Sequence, residues 1–379
     1  MAIKNIFGTT GHHAATAPAS NSAPRSGGPP NAREQFVRDS FVVMAKWDQN
    51  RDQKLSAKEI DRALQDPSQT KVHATTICAL KANREALAGL KNDEWGYDAS
   101  VTYDDLLKFK TLKGSNPVAQ GVRYSRVDAQ SLLRLSENRA FTKEGPKATE
   151  INQGELGSCY FLSALVSKAH QDPNFIESMI QPLPGDRYRV SFPSGRSAVV
   201  PKPTFAEQAY FTNTNDGRNG YWPTIIEKAY GKTLNEDAWF STTTIDSEAA
   251  GAGGMIMKGV KAMSKGGYDY DSLALTSTST LKTKLKTAFA ENRAVTASTS
   301  SRLDALLGKQ ETTNGLAVGH AYGVLGYDAR TETVLVYNPW HSGDPHGTAC
   351  AKDDGRHDGL FRLTIPEFYA NFVDICYEQ

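Results

Sequence analysis

The sequence predicts an α+β protein: a helical lobe followed by a β-rich lobe, with a small all-α unit before them. Three observations carry this. Residues 153–160, Gln-Gly-Glu-Leu-Gly-Ser-Cys-Tyr, run directly into the apolar stretch Phe161, Leu162, Ala164, Leu165 and Val166. Two later runs, 319–326 and 334–340, are rich in β-branched and aromatic residues and bounded by Gly or Pro, as strands are. Near the start, an oxygen-rich loop at 48–59 lies between segments of helical periodicity.

Residues 1–31 are rich in Ala, Ser, Gly, Pro, Thr and Asn and carry no apolar periodicity, so a disordered tail is expected there. The tail lacks the charged start and continuous apolar stretch of a signal peptide. A cytoplasmic protein, or one exported by a route independent of a signal peptide, is expected.

The helical unit is placed at 32–112. In the segment 48–59, oxygen ligands fall at positions 1, 3, 5, 9 and 12: Asp48, Asn50, Asp52, Ser56 and Glu59. Position 7, Lys54, needs to give only its backbone carbonyl. This is the pattern of an EF-hand loop for Ca2+. Gln53 replaces the usual glycine at position 6 and must enter left-handed backbone, at about 1–2 kcal/mol. Val37, Phe41 and Met44 before the loop, and Ile60 and Leu64 after it, recur at helical spacing. A sister loop at 94–105 puts Val101 at position 8, matching Leu55, but Gly96 offers no ligand and Asp105 is short for position 12. The expectation is an EF-hand pair with one competent loop.

The helical lobe is placed at 120–245. A cysteine at the first turn of a buried helix is more often a packed core residue than a nucleophile. Here the helix N-terminus is expected to lower the Cys159 pKa, and the Gln153 amide can help hold an oxyanion. The β-rich lobe, 250–379, supplies the rest. A hairpin turning near Asp328–Thr333 would bring His320 and Asn338 onto neighbouring strands. There Asn338 would fix the imidazole tautomer and leave the other nitrogen for Cys159.

Together these segments resemble the calpain family of cysteine proteases, a branch of the papain-like group that works with Cys, His and Asn. Gln153-Gly154, the segment 221–230 (Tyr-Trp-Pro-Thr-Ile-Ile-Glu-Lys-Ala-Tyr), Asn338-Pro339-Trp340 and the tail from Asp358 through Phe372 carry the resemblance over about residues 120–379. It implies a papain-like two-lobed fold and hydrolysis of peptide bonds through a Cys159 thioester. Cys159, His320, Asn338 and Gln153 would be the catalytic set, and Trp340 would shield the His320–Asn338 hydrogen bond. Ser158 and Tyr160 stand where animal calpains usually carry Asp and Trp. Calcium sites are implied in the core as well: Glu150 and Asp358 keep acidic side chains, but Gly220 and Leu360 do not, so those sites are expected to be depleted. Calcium regulation would then enter through the EF-hand.

Composition describes an ordinary soluble protein: 39% hydrophobic residues and a formal net charge of +1 suggest neither a nucleic-acid nor a membrane surface; the resemblance implies a polypeptide substrate. The cysteines, Cys78, Cys159, Cys350 and Cys376, show no metal spacing, and with Cys159 catalytic the remaining three exclude a full disulfide set. The polar stretch 341–358, with His341, His346, His357 and four aspartates, is expected to be solvated loop, with a metal site as the alternative. A calcium-binding scaffold with a dead protease core and a transglutaminase-type acyl transferase are the competing functions. The sequence leaves the oligomeric state and the physiological substrate open.

Overall fold

A computed structural model describes residues 32–91, 99–237, 245–299, 311–346 and 356–379. The expected tail, residues 94–98 of the sister loop, Cys350, Asp353 and Asp354 fall outside these residues.

The chain begins with helices: α1 (Ala32–Trp47), α2 (Ala57–Gln65), α3 (Lys71–Ala82), α4 (Arg84–Ala88), α5 (Tyr103–Lys110) and α6 (Pro117–Leu135). Between α1 and α2 lies β1 (Lys54–Leu55), and before α5 lies β2 (Val101–Thr102). They pair antiparallel, Leu55 opposite Val101. Capping boxes fix several helix starts, because a side-chain oxygen and an acidic or polar residue three positions on satisfy N–H groups that the helix cannot. Ser56 with Glu59 opens α2, Thr70 with His73 opens α3, and Thr102 with Asp105 opens α5.

A middle section follows: β3 (Ile151–Asn152), α7 (Cys159–Gln171), α8 (Pro173–Met179), β4 (Ile180–Leu183), β5 (Arg187–Ser191), β6 (Ser197–Pro201), α9 (Phe205–Tyr210), β7 (Asn213–Thr214), α10 (Trp222–Asp237), a 3-10 helix at Asp246–Ala252, and α11 (Ile256–Ala262). β4, β5 and β6 form a small antiparallel sheet, and β3 pairs with β7. The last section holds β8 (Tyr268–Ser272), α12 (Thr278–Ala290), β9 (Val295–Ser298), β10 (Ala321–Asp328), β11 (Thr333–Tyr337), β12 (Leu360–Thr364), α13 (Ile365–Asn371) and β13 (Asp374–Glu378). Its strands build one antiparallel sheet in the order β12-β11-β10-β9-β13-β8.

Three apolar clusters hold these parts. One unites α7 and α10 with Ala321, Leu325, Tyr337 and Cys376 of the sheet, so α7 is packed between the helical section and β10. A second lies between the sheet and helices α12 and α13. The third fills the N-terminal helices, and it also takes in Leu156, Ala206, Tyr210, Phe211 and Ile245. The N-terminal helices therefore share a core with the segment just before Cys159. A buried ion triad adds to this contact: Lys81 of α3 pairs with Asp61 of α2 and with Glu248 of the 3-10 helix. Among the described residues no helix is long and apolar enough to cross a membrane.

Candidate active site

Cys159 is the first residue of α7 and is half-buried. Apolar residues at nearly every position after it drive the helix into the core on all sides, which holds its N-terminus in place. Burial pushes the Cys159 thiol above its ordinary range, while the backbone N–H groups of Ala321, Tyr160 and Cys159 itself pull it down. The expectation that the helix terminus lowers the pKa is corrected to this extent: desolvation of the thiolate outweighs the N–H groups facing it. A thiolate here needs a cation beside it.

The hairpin brings an imidazole into the neighbourhood. β10 and β11 run antiparallel, Asp328 opposite Thr333, with His320 just before β10 and Asn338 just after β11. His320 Nε2 lies 2.8 Å from Asn338 Oδ1. The direction of this bond follows from its surroundings. The Trp340 backbone N–H donates to the same Oδ1 at 3.0 Å, and Asn338 Nδ2 donates to the Ser342 carbonyl at 2.7 Å. Oδ1 is thus an acceptor, Nε2 carries the hydrogen, and Nδ1 is the ring nitrogen left to take a proton. The contact of Cys159 with the Ala321 N–H puts the thiol beside the residue that follows His320. The Trp340 ring lies over the imidazole, centroids 4.1 Å apart, and covers the His320–Asn338 bond.

Gln153 is buried just after β3. Its backbone N–H donates to the Pro339 carbonyl at 2.7 Å, joining it to the Asn-Pro-Trp turn. One hydrogen of Nε2 goes to the Leu156 carbonyl at 2.6 Å, and an amide nitrogen carries two. Oε1 is buried and has no hydrogen-bond partner among the described residues. Gly154 sits against the Tyr210 and Phe211 carbonyls so closely that a Cβ there would lie 2.3 Å from the first, which explains glycine at that position.

Sequence reasoning missed the group that holds the residue before Cys159. Ser158 is the N-cap of α7, yet its hydroxyl does not cap the helix. It donates to Glu227, which also accepts from the Thr212 N–H at 2.7 Å and the Thr212 hydroxyl at 2.8 Å. Glu227 is fully buried, and burial raises its pKa against the pull of these three donors. Its neighbour Lys228 makes a buried 2.6 Å ion pair with Glu207, and Tyr230 stacks on Phe161 of α7 at 3.9 Å. The signal was present in the sequence: two charged residues inside an apolar helical run are almost always buried with partners.

The oxygen-rich loop has a different arrangement. Gln53 takes φ 62°, as its place in the loop requires, and Arg51 takes φ 59°. Asp48 accepts from the Asp52 and Gln53 N–H groups, Asn50 from Asp52, and Asp52 from Lys54. Glu59 is turned onto the Ser56 N–H and hydroxyl and the Gln49 N–H. Asp105 likewise binds Thr102 and the Lys91 N–H. Among the described residues, no group of three His, Cys, Asp or Glu side chains converges as a metal site. The donors at 48–59 are all hard oxygens, as calcium prefers, and a carboxylate has lone pairs enough to accept from loop N–H groups and ligate an ion together.

Packing accounts for the glycine at position 220. Gly220 has φ +88°, and a Cβ there would lie 2.3 Å from the Ala140 carbonyl, so no acidic side chain fits. Asp358 Oδ1 accepts from the Leu360 N–H instead.

Comparison with known proteins agrees with the site. The family model described as calpain family cysteine protease matches residues 104–355, roughly two thirds of the chain. Calpain-9 of Rattus norvegicus is 26% identical over 285 residues, covering 64% of this chain and 38% of that protein. Calpain-9 of Homo sapiens is 25% identical over the same length. Calpain clp-4 of Caenorhabditis elegans is 22% identical over 328 residues, covering 75% of this chain and 44% of that protein. The chain spans less than half the length of these curated relatives. A cysteine opening a buried helix, a histidine and asparagine joined across a hairpin, and a family match over most of these segments lead to one assignment: the chain belongs to the calpain family of cysteine proteases.

Proposed function

We propose that this chain is a cysteine endopeptidase, with Cys159, His320, Asn338 and Gln153 as its working residues. The observation that carries the reading is the His320 Nε2–Asn338 Oδ1 bond, which leaves Nδ1 to accept the thiol proton. Cys159 Sγ attacks the peptide carbonyl as His320 takes its proton. The oxyanion is held by a Gln153 Nε2–H and by the Cys159 backbone N–H, one of the first-turn donors that a helix leaves without intrahelical acceptors. The C–N bond breaks as His320 gives its proton to the leaving amine. Water, deprotonated by His320, then hydrolyses the thioester and restores the thiol. Cys159→Ala should abolish casein cleavage while leaving the melting temperature nearly unchanged, since Ala suits a first helical turn. Cleavage above a few per cent of wild type would show that another residue attacks.

The EF-hand reading of 32–112 supplies the proposed calcium site, with Asp48, Asn50, Asp52, Ser56 and Glu59 as side-chain ligands and Lys54 as a carbonyl ligand. It is supported by the left-handed Gln53 and by the Leu55–Val101 pairing of the two loops. Calorimetric calcium titration reads this site without reference to activity. Glu59→Gln should weaken binding by about an order of magnitude, because it removes a charge and a bidentate oxygen. Equal affinity in the two proteins would exclude the loop, and equal wild-type activity in calcium and in chelator would make it a structural module.

A further inference from the structure

The side chain just before Asn338 is used in an unexpected way. Tyr337 ends β11 with its ring fully buried, and its hydroxyl lies 2.7 Å from the Ile151 carbonyl and 2.9 Å from the Thr149 carbonyl. It also lies 2.8 Å from His341 Nδ1. A phenol has one hydrogen and two lone pairs. That hydrogen serves the carbonyls, so His341 Nδ1–H is the donor to Oη. His341 reaches this position with φ +54°, backbone that non-glycine residues rarely adopt, and a turn bond from its N–H to the Asn338 carbonyl holds it there.

Two residues further along each segment, the Gln153 N–H donates to the Pro339 carbonyl. The stretches 151–153 and 337–339 are therefore joined at two points, one a side-chain hydroxyl and one a backbone amide. The first stretch ends in the proposed oxyanion donor, and the second contains the residue that orients His320. We propose that Tyr337 is a positioning residue of the active site: its hydroxyl sets the register between Gln153 and Asn338, and through them the placement of oxyanion hole and imidazole. The inference rests on the endopeptidase reading above. Burial, reinforced by the charges of Glu150, Asp358 and Asp344, holds the phenol well above its ordinary pKa, so it remains a donor across the working pH range.

The test is Tyr337→Phe in the full chain, which keeps the ring and removes only the hydroxyl. The expected result is a fall in kcat of about tenfold with KM within about twofold, because the loss is one of alignment and not of substrate contact. Hydrogen exchange at the Gln153 amide should speed by about tenfold or more. A kcat per folded molecule within twofold of wild type, with the Gln153 amide still protected, overturns the proposal and leaves Tyr337 as core filling. His341→Ala loosens the phenol from its other side and should move both readouts the same way by a smaller factor; if Tyr337→Phe does not fold, this variant decides, and unchanged values overturn the proposal. Should the wild-type chain cleave no peptide, the endopeptidase reading fails, and the Gln153 exchange rate still judges the splint by itself.

Discussion

Glu227→Gln tests how the start of the Cys159 helix is held. The carboxylate accepts from Ser158, the Thr212 N–H and the Thr212 hydroxyl in a fully buried site. Glutamine has the same shape. Its oxygen can keep the Thr212 N–H, and its nitrogen can donate to hydroxyl oxygens, which have lone pairs to offer. What is lost is the match of three donors to one carboxyl, because the two hydroxyls must now accept from the amide, about 1–2 kcal/mol in all, or roughly 1–3 °C in Tm for a chain of this size. Glu227→Ala is the harsher control, because three buried donors lose their acceptor at about 3–5 kcal/mol. The pH dependence gives the sharper test. Burial raises the folded-state pKa of Glu227 above its unfolded value. Below the ordinary carboxylate range both states are protonated and the group costs nothing. As pH rises from there through the raised folded value, the native state loses stability relative to the unfolded chain, and the loss then levels off. Glutamine has no such term. The deficit of the Gln variant should therefore be largest at the acid end, near the ordinary carboxylate range, and shrink as pH rises through the raised folded value. Thermal melts of both proteins across this range measure it. Because Ser158 leads directly into Cys159, acylation by an active-site probe should also slow, by about three- to tenfold. A deficit that grows with pH would refute the reasoning, for it would mean that the three donors outweigh burial and hold an ordinary anion.

Removing the imidazole should return Cys159 to the control of burial. In His320→Ala, alkylation of Cys159 by iodoacetamide at neutral pH should fall by about tenfold or more, and its pH profile should move to the alkaline side, since the buried thiol lies above its usual range; an unchanged profile would show that His320 does not support the thiolate. Gly220→Glu restores the acidic residue that calpains carry at this position, but it combines left-handed backbone, about 1–2 kcal/mol, with overlap against the Ala140 carbonyl, about 1–3 kcal/mol. Urea denaturation should register a loss of about 2–5 kcal/mol with no new calcium site, and a loss under 1 kcal/mol would refute the packing argument.

The arrangement of Cys159, His320 and Asn338 was legible in the sequence because it depends on residue type and local order. A thiol before an apolar helix, an imidazole before one strand and an asparagine after the next are each readable from spacing, and the antiparallel hairpin follows from the strand runs and the turn between them. The run of oxygen-bearing side chains at 48–59 was readable for the same reason, and so was the left-handed demand on Gln53. What the sequence could not show is which distant groups meet. Glu227 lies 69 residues from the Ser158 that it holds, and Tyr337 lies 186 from the Ile151 carbonyl. Nor could it show that Glu59 binds its own helix cap, that Lys81 ties the N-terminal helices to the 3-10 helix beside the catalytic loop, or that Gly220 has no room for a side chain. These depend on how α7, α10 and the sheet pack, and packing is a sum over long-range contacts that no short window contains. The same burial reversed the simplest pKa argument at Cys159: a helix terminus is local and visible in sequence, whereas desolvation is set by everything folded around it.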